Sequence, residues 1–378
     1  MMEEKKEEIS GDEYFNVLVK PVSADCNLKC TYCFYRRPTD PYQSKTTHRM
    51  PEVVLRNLIA QQMSSAGDYV SFGWQGGEPL LAGIKFFYRV VYYQRLFGYP
   101  GQKVANAIQT NGTLIDEEWA WLFHVYNFLI GISVDGPPEL HNEYRRTTMN
   151  KGTFNHVMRG IDILRKYEVP FDILMVLNDL TVKEPESIYK FLLKNKFTHV
   201  HFIPCVTTDP ETGKVTDFSI TPDEYGDFLS RFFDLWYNHG QPYLSVRFFD
   251  NILAILLGLN PDLCLLKERC GSYLVVEYNG DIYPCDFFVE ENWKLGNLME
   301  EPIENIIRSK RLIEFAMLKK ELDDECKTCR WLSFCYGGCP KMRLKENTFY
   351  LCNAYRRFFK YTEDRFKELR ELYTKKDT

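Results

Sequence analysis

The sequence predicts an α/β fold, and three observations carry that expectation. Six apolar, β-rich runs alternate with six helix-like stretches between Phe15 and Trp236. Each strand run is followed by a helix stretch, the order that builds a parallel sheet. Past residue 240 the alternation gives way to a Cys-rich segment with one hairpin signal. The pattern alone leaves a doubly wound sheet and a barrel both open, and six units fall short of a full eight-fold barrel. In either arrangement, functional side chains are expected at the C-terminal ends of the strands.

In chain order, the strands are read at 15–22, 69–74, 104–109, 128–134, 171–177 and 199–205. These runs are rich in β-branched and aromatic residues, which fit a pleated surface. The helices are read at 51–65, 84–97, 116–125, 153–166, 185–195 and 222–236. Pro51, Pro185 and Pro222 suit first-turn positions, where a missing N–H costs nothing. Asp116 suits a helix N-cap or first turn. The hairpin signal is 273–278, Asn279-Gly280, then 281–283, and Asn-Gly tolerates the positive φ of a tight turn. Residues 354–373 place aromatic and apolar side chains at helical spacing. Residues 1–13 read as a disordered tail, 14–238 as the first domain and 239–378 as the Cys-rich domain with its C-terminal helix.

Charge and composition exclude some functions. There are 47 Lys and Arg against 52 Asp and Glu, a net charge of −5. A general nucleic-acid binder needs a basic footprint, so no nucleic-acid partner is expected. The longest apolar run, 252–259, is far short of the ~20 residues that cross a bilayer and reads as core. The Glu/Lys-rich start lacks the apolar stretch of a signal peptide. A cytoplasmic protein with no membrane partner is therefore expected. Twelve cysteines are too few for a disulfide scaffold. In a reducing compartment, clustered cysteines point to metal or catalysis. Cys26, Cys30 and Cys33 form one group, eight more lie between 264 and 352, and Cys205 stands alone as a small buried hydrophobe.

Cys26-x3-Cys30-x2-Cys33 follows the first strand. Three thiolates so close can wrap one soft metal centre. A 4Fe–4S cluster usually takes four cysteines, so three leave an iron open to a substrate or cofactor. Spacing alone also permits a zinc site completed by a distant ligand such as His48. Three polar motifs end later strands: Gln75-Gly76-Gly77-Glu78-Pro79, Gln109-Thr110-Asn111-Gly112 and Ser133-Val134-Asp135-Gly136-Pro137. Glycines at such a place let backbone approach a ligand closely, though a plain turn also fits.

This combination, with Tyr32 just before the last cysteine, resembles the radical S-adenosylmethionine (radical SAM) superfamily. The resemblance implies a partial (β/α)6 TIM-like barrel. It implies a 4Fe–4S cluster on Cys26, Cys30 and Cys33, and reductive cleavage of SAM to a 5′-deoxyadenosyl radical. It assigns Tyr32, Gly76, Gly77, Glu78, Asn111, Ser133 and Arg145 to SAM, with Val206 packing on adenine. Arg145 also reads as a surface charge, and Val206 as an ordinary rim residue.

The later cysteines run Cys264, Cys270-x9-Gly280-x4-Cys285, Cys326-x2-Cys329-x5-Cys335-x3-Cys339, then Cys352. Spacing alone leaves two four-cysteine zinc sites open. The whole pattern resembles the SPASM extension of radical SAM enzymes, which implies two auxiliary 4Fe–4S clusters. One would use Cys264, Cys270, Cys285 and Cys339. The other would use Cys326, Cys329, Cys335 and Cys352. Three 4Fe–4S clusters are then expected in all.

Residues 30–35, 75–79, 109–116, 275–277 and 283–287 resemble the anaerobic sulfatase-maturating enzymes, and the likeness spans about 14–370. Leu80 departs from the Thr that many relatives carry there. The resemblance implies oxidation of a Cys or Ser side chain to Cα-formylglycine. The target is a Cys/Ser-x-Pro-x-Arg segment of an unfolded or nascent sulfatase, and the reductant is of flavodoxin or ferredoxin type. The radical would remove a Cβ hydrogen, a base would take the thiol or hydroxyl proton, and one electron would leave through the auxiliary clusters. Asp286, next to Cys285, is the candidate base. A thiol near pKa ~8.5 hands a proton uphill to a carboxylate near ~4, unless burial raises the carboxylate or prior hydrogen removal acidifies the remaining proton. Tyr35, Gln75 and Gln109 are candidates to position target and SAM. A ribosomal-peptide maturase making crosslinks would share every cysteine motif, and a zinc-bound interaction module is the alternative from another class.

Overall fold

The computed structural model describes residues 16–36, 41–42, 47–344 and 347–376. The expected tail at 1–13 lies outside the described residues. The strands are β1 (Asn16–Lys20), β2 (Tyr69–Trp74), β3 (Lys103–Thr110), β4 (Phe128–Ser133), β5 (Phe171–Leu177), β6 (His199–Pro204), β7 (Ser245–Val246), β8 (Tyr273–Glu277), β9 (Asp281–Tyr283) and β10 (Gly296–Asn297). The helices are α1 (Glu52–Ser65), α2 (Ile84–Phe97), α3 (Glu117–Val125), α4 (Pro138–Tyr144), α5 (Phe154–Lys166), α6 (Pro185–Lys194), α7 (Pro222–Tyr237), α8 (Arg247–Leu256), α9 (Ile303–Ile307), α10 (Lys310–Met317), α11 (Asp324–Lys327) and α12 (Cys352–Lys376).

The first six strands and their helices fall where the periodicity places them. Asp116 caps α3 by accepting from the Trp119 N–H. Thr221 and Glu224 form a reciprocal capping box on α7. Pro51 stands one place earlier than expected, as the N-cap of α1. Helices α4, α8, α9, α10 and α11 and the two-residue strands β7 and β10 are elements that the pattern does not predict, and α4 and α8 are the helices among them nearest the alternating region. The first is only seven residues long. The second ends at Leu256, inside the apolar run read as core.

The chain divides into two compact units, each discontinuous in sequence. One gathers Met1–Asp25, Thr39–Ala107 and Gly271–Met317; the other gathers Cys26–Pro38, Ile108–Cys270 and Leu318–Thr378. Each unit draws on segments from both sides of residue 238. The reason is β8. It pairs in parallel with β1, placing Val275 opposite Leu18 and Val276 opposite Val19. On its other side it makes the expected antiparallel hairpin with β9, and β9 pairs with β10. Leu274, Val275 and Val276 are all fully buried, so pairing with β1 takes the apolar centre of β8 out of water. Strand β2 lies on the other side of β1, also parallel.

In the second unit β4, β5, β6 and β7 are successive parallel neighbours. Helix α12 packs on α7 and α8. Its Phe358 and Phe366 meet Phe233 with ring centroids 5.8 and 4.8 Å apart. Burying each such ring contributes about 1.5–3 kcal/mol, which is why this helix docks although its outer face is highly charged. Strand β3 carries the chain from the first unit into the second. Among the described residues no helix is long and apolar enough to cross a membrane.

Candidate active site

The cysteine triplet lies on the loop after β1. Backbone bonds to the end of α4 shape that loop: Lys29 N–H donates to the Arg146 carbonyl at 2.8 Å, and Thr31 N–H to that of Tyr144 at 3.2 Å. Cys26, Cys30 and Cys33 pack in one apolar cluster with Leu28, Tyr32, Tyr144, Val176, Phe218 and Cys205. Burial pushes the Cys30 thiol up to about 11 and raises Cys33, while Arg145 works in the opposite direction on both. These thiols are therefore protonated near neutrality, and a metal centre binding them would release protons. The donor set suits a soft metal held by thiolate. Cys205 packs as the apolar side chain expected, its thiol pushed up to about 12 by burial.

Asp135, at the end of β4, organises the wall beside the triplet. It is buried, and its Oδ2 accepts from Tyr32 Oη and from Arg145 Nε at 2.8 Å. Its Oδ1 accepts from the Val176 N–H at 3.0 Å. The Arg145 guanidinium also sits 5.6 Å from the Tyr32 ring centroid. Arg145 is thus a buried, paired cation rather than a surface charge. Burial opposes its charge, but Asp135 outweighs burial and holds its pKa above the ordinary value. The partner of Arg145 and Tyr32 was not singled out from sequence. Its only signal is the acidic residue inside Ser133-Val134-Asp135-Gly136-Pro137.

Two neighbouring strand ends present amides and hydroxyls. Gln109 Nε2 donates to Ser133 Oγ at 3.0 Å. A Cβ on Gly131 would lie 2.3 Å from Gln109 Oε1, so glycine there makes room for the Gln109 side chain. Asn111 is buried and directed at the triplet loop. Its Nδ2 donates to Asn27 Oδ1 at 2.8 Å and reaches Cys26 Sγ at 3.8 Å. Val206 is half-buried just past β6, and Tyr35 is buried with its ring centroid 4.1 Å from that of Phe34.

The Gly76-Gly77 pair, in the first unit, has a tighter task than approach to a ligand. Gly77 N–H donates to the Ser23 carbonyl and Glu78 N–H to that of Asp25, both at 2.8 Å. A Cβ on Gly77 would stand 2.0 Å from the Asp25 carbonyl oxygen, and one on Gly76, at φ +117, 2.5 Å from that of Ser23. The pair is therefore glycine because it presses against the segment leading into Cys26. Gly77→Ala should destabilise the protein by about 1–3 kcal/mol, read as a fall in the urea midpoint. An unchanged midpoint would show that this contact relaxes freely. Glu78 is fully buried and caps the turn after it, accepting from the Leu80 N–H at 3.0 Å. His48 is held by Asp25, with Nδ1 2.9 Å from Oδ1.

Asp286 is also in the first unit, buried at the end of the hairpin. Gln75 Nε2 reaches its Oδ2 at 3.5 Å, and Lys20 Nζ lies 3.7 Å from Oδ1. Lys20 is itself paired with Glu277 at 2.5 Å, both fully buried. Two expected candidates, Gln75 and Asp286, thus meet, and a cation that sequence reasoning did not single out lies beside them. Cys285, the neighbouring residue, is 3.5 Å from Tyr273 Oη.

Among the later cysteines, Cys326, Cys329, Cys335 and Cys352 line one cavity with Trp331 and Phe359. Cys264, Cys270 and Cys339 act on one another electrostatically. Among the described residues, no three His, Cys, Asp or Glu side chains form a group that could hold a single ion. Four sulfurs around one cavity fit a larger centre with one sulfur per iron.

Residues 21–192 match the Radical SAM superfamily, and residues 264–330 match the SPASM iron–sulfur cluster-binding domain. The structure superposes on native anSMEcpe with bound AdoMet and the Cp18Cys peptide at a TM-score of 0.87, with 37% identity over 94% of this chain and 99% of that one. The fold is the radical SAM partial TIM-like barrel followed by a SPASM domain, and the chain is a radical SAM enzyme using SAM, a 4Fe–4S cluster and auxiliary clusters. A cysteine-type anaerobic sulfatase-maturating enzyme of Clostridium perfringens is 39% identical over 92% of this chain and 95% of its own length. A serine-type enzyme of Bacteroides thetaiotaomicron is 34% identical over 91% and 88%. The chain belongs to the family of anaerobic sulfatase-maturating enzymes. Streptococcus suis SuiB bound to its precursor peptide shares the fold alone, at 15% identity and a TM-score of 0.63.

Proposed function

We propose that this enzyme oxidises a Cys or Ser side chain, in a Cys/Ser-x-Pro-x-Arg segment of an unfolded or nascent sulfatase, to Cα-formylglycine. The observation that carries the reading is the buried Asp286 carboxylate beside Gln75 and Lys20, on the residue after Cys285. When bound, the cluster on Cys26, Cys30 and Cys33 together with SAM supplies the radical that removes a Cβ hydrogen, and the auxiliary clusters supply a sink for the remaining electron.

Asp286 takes the thiol or hydroxyl proton on a carboxylate oxygen. Gln75 orients that carboxylate, and Lys20 sets a positive charge beside it. Loss of hydrogen atom, proton and electron converts Ser directly to the aldehyde. From Cys the same losses give a thioaldehyde, which water hydrolyses to the aldehyde and hydrogen sulfide. Arg145 and Tyr32, fixed by Asp135, and Asn111, Ser133, Val206, Gly76, Gly77 and Glu78 form the SAM-binding set. Tyr35 and Gln109 position the target. Residues 14–238 are the radical module and 239–378 the auxiliary-cluster module. The reaction is cytoplasmic, with an electron donor of flavodoxin or ferredoxin type.

The test is anaerobic incubation of reconstituted enzyme with SAM, dithionite and peptides carrying Cys-x-Pro-x-Arg or Ser-x-Pro-x-Arg. Mass spectrometry should find the aldehyde and 5′-deoxyadenosine from at least one peptide. Formation of 5′-deoxyadenosine with neither peptide altered would remove the substrate assignment and leave the radical machinery intact.

A further inference from the structure

Lys319 follows α10 and is 1% exposed. Its Nζ donates to the backbone carbonyls of Cys264 at 2.9 Å and Leu265 at 2.8 Å, and also to that of Lys267. Among the described residues its ammonium pairs with no carboxylate. Glu268, the acid on the same segment, is engaged by Lys320 at 3.8 Å. A buried cation satisfied only by carbonyl dipoles is costly and calls for nearby negative charge. The carbonyls it binds run from Cys264 to Lys267, three residues before Cys270, and burial lowers its pKa while the thiols of Cys270, Cys264, Cys339 and Cys335 work in the opposite direction. Arg343 fixes the turn that carries Lys319, donating to the carbonyls of Leu318 at 3.1 Å, Lys319 at 2.9 Å and Glu321 at 2.7 Å.

We infer that Lys319 is a positioning residue for the auxiliary centre on Cys264, Cys270 and Cys339, holding their loop and raising that centre's reduction potential. The inference rests on the assignment of these cysteines to an iron–sulfur cluster. Cluster potentials respond to nearby charge and hydrogen bonding. Reduction by the one electron released in substrate oxidation adds one negative charge to the centre. A fixed ammonium without a carboxylate partner stabilises that added charge and eases electron acceptance.

The experiment is an EPR-monitored redox titration of the reconstituted full chain and two variants. Lys319→Gln keeps donors for the carbonyls and removes the charge. At the wild-type midpoint, the reduced-to-oxidised ratio of one auxiliary signal should fall about tenfold, equivalent to 59 mV for a one-electron couple. Lys319→Arg, which keeps the charge, should hold that ratio within about threefold of wild type. An unchanged ratio in Lys319→Gln at full iron content overturns the inference. Loss of one cluster's iron in both variants also overturns it, because the side chain would then only anchor the loop. Wild-type protein without auxiliary iron would instead overturn the cluster assignment itself.

Discussion

Replacing Asp286 by asparagine is expected to leave SAM cleavage running while lowering aldehyde formation by about 10²–10⁴-fold, the usual worth of a positioned general base. The amide keeps the shape of the carboxylate and can still meet Gln75, which lies 3.5 Å from Oδ2. It cannot accept a proton. Lys20 retains its 2.5 Å pairing with Glu277, so the buried cation is not orphaned. The fold should therefore tolerate the change, and an unaltered urea midpoint would separate lost chemistry from lost structure. An aldehyde yield equal to wild type would remove Asp286 as the base.

Replacing Cys26, Cys30 and Cys33 together by alanine is expected to abolish SAM cleavage and lower bound iron from about 12 to about 8 per chain, one four-iron cluster of three. The three cysteines share one apolar cluster with Cys205, among the described residues the one other thiol packed there. Cys205 is held on β6's exit by backbone bonds to Leu177 and Ile220 and is buried. Iron content unchanged in the triple variant would sink the assignment of the triplet.

Much of this architecture was legible because its signals are local. Alternating apolar runs placed β1 to β6, and Asn279-Gly280 placed the β8–β9 hairpin. The parallel pairing of β8 with β1 was not legible, since nothing within Tyr273–Glu277 encodes a partner some 250 residues earlier. That pairing is also why the first compact unit joins segments far apart in sequence. The site divides in the same way. Cysteine spacing along a loop is written in the sequence, and so is an aspartate next to a cysteine. The acceptor that Tyr32 and Arg145 share is not, because Asp135 reaches them only once β4 and the triplet loop have folded together. Gly77 was legible as a glycine but not for its reason, which is the Asp25 carbonyl against its missing side chain. Lys319 reads as one of many surface lysines until its three carbonyl partners are seen.

The proposed oxidation begins with loss of a hydrogen from Cβ of the target residue, and a deuterated peptide reports that loss. A Cys-x-Pro-x-Arg peptide carrying deuterium at both Cβ positions of its Cys would be turned over anaerobically with SAM and dithionite. One deuterium is expected in the 5′-deoxyadenosine and one retained in the aldehyde, with matched amounts of the two products. Aldehyde formed alongside 5′-deoxyadenosine free of deuterium would contradict the proposed loss from Cβ.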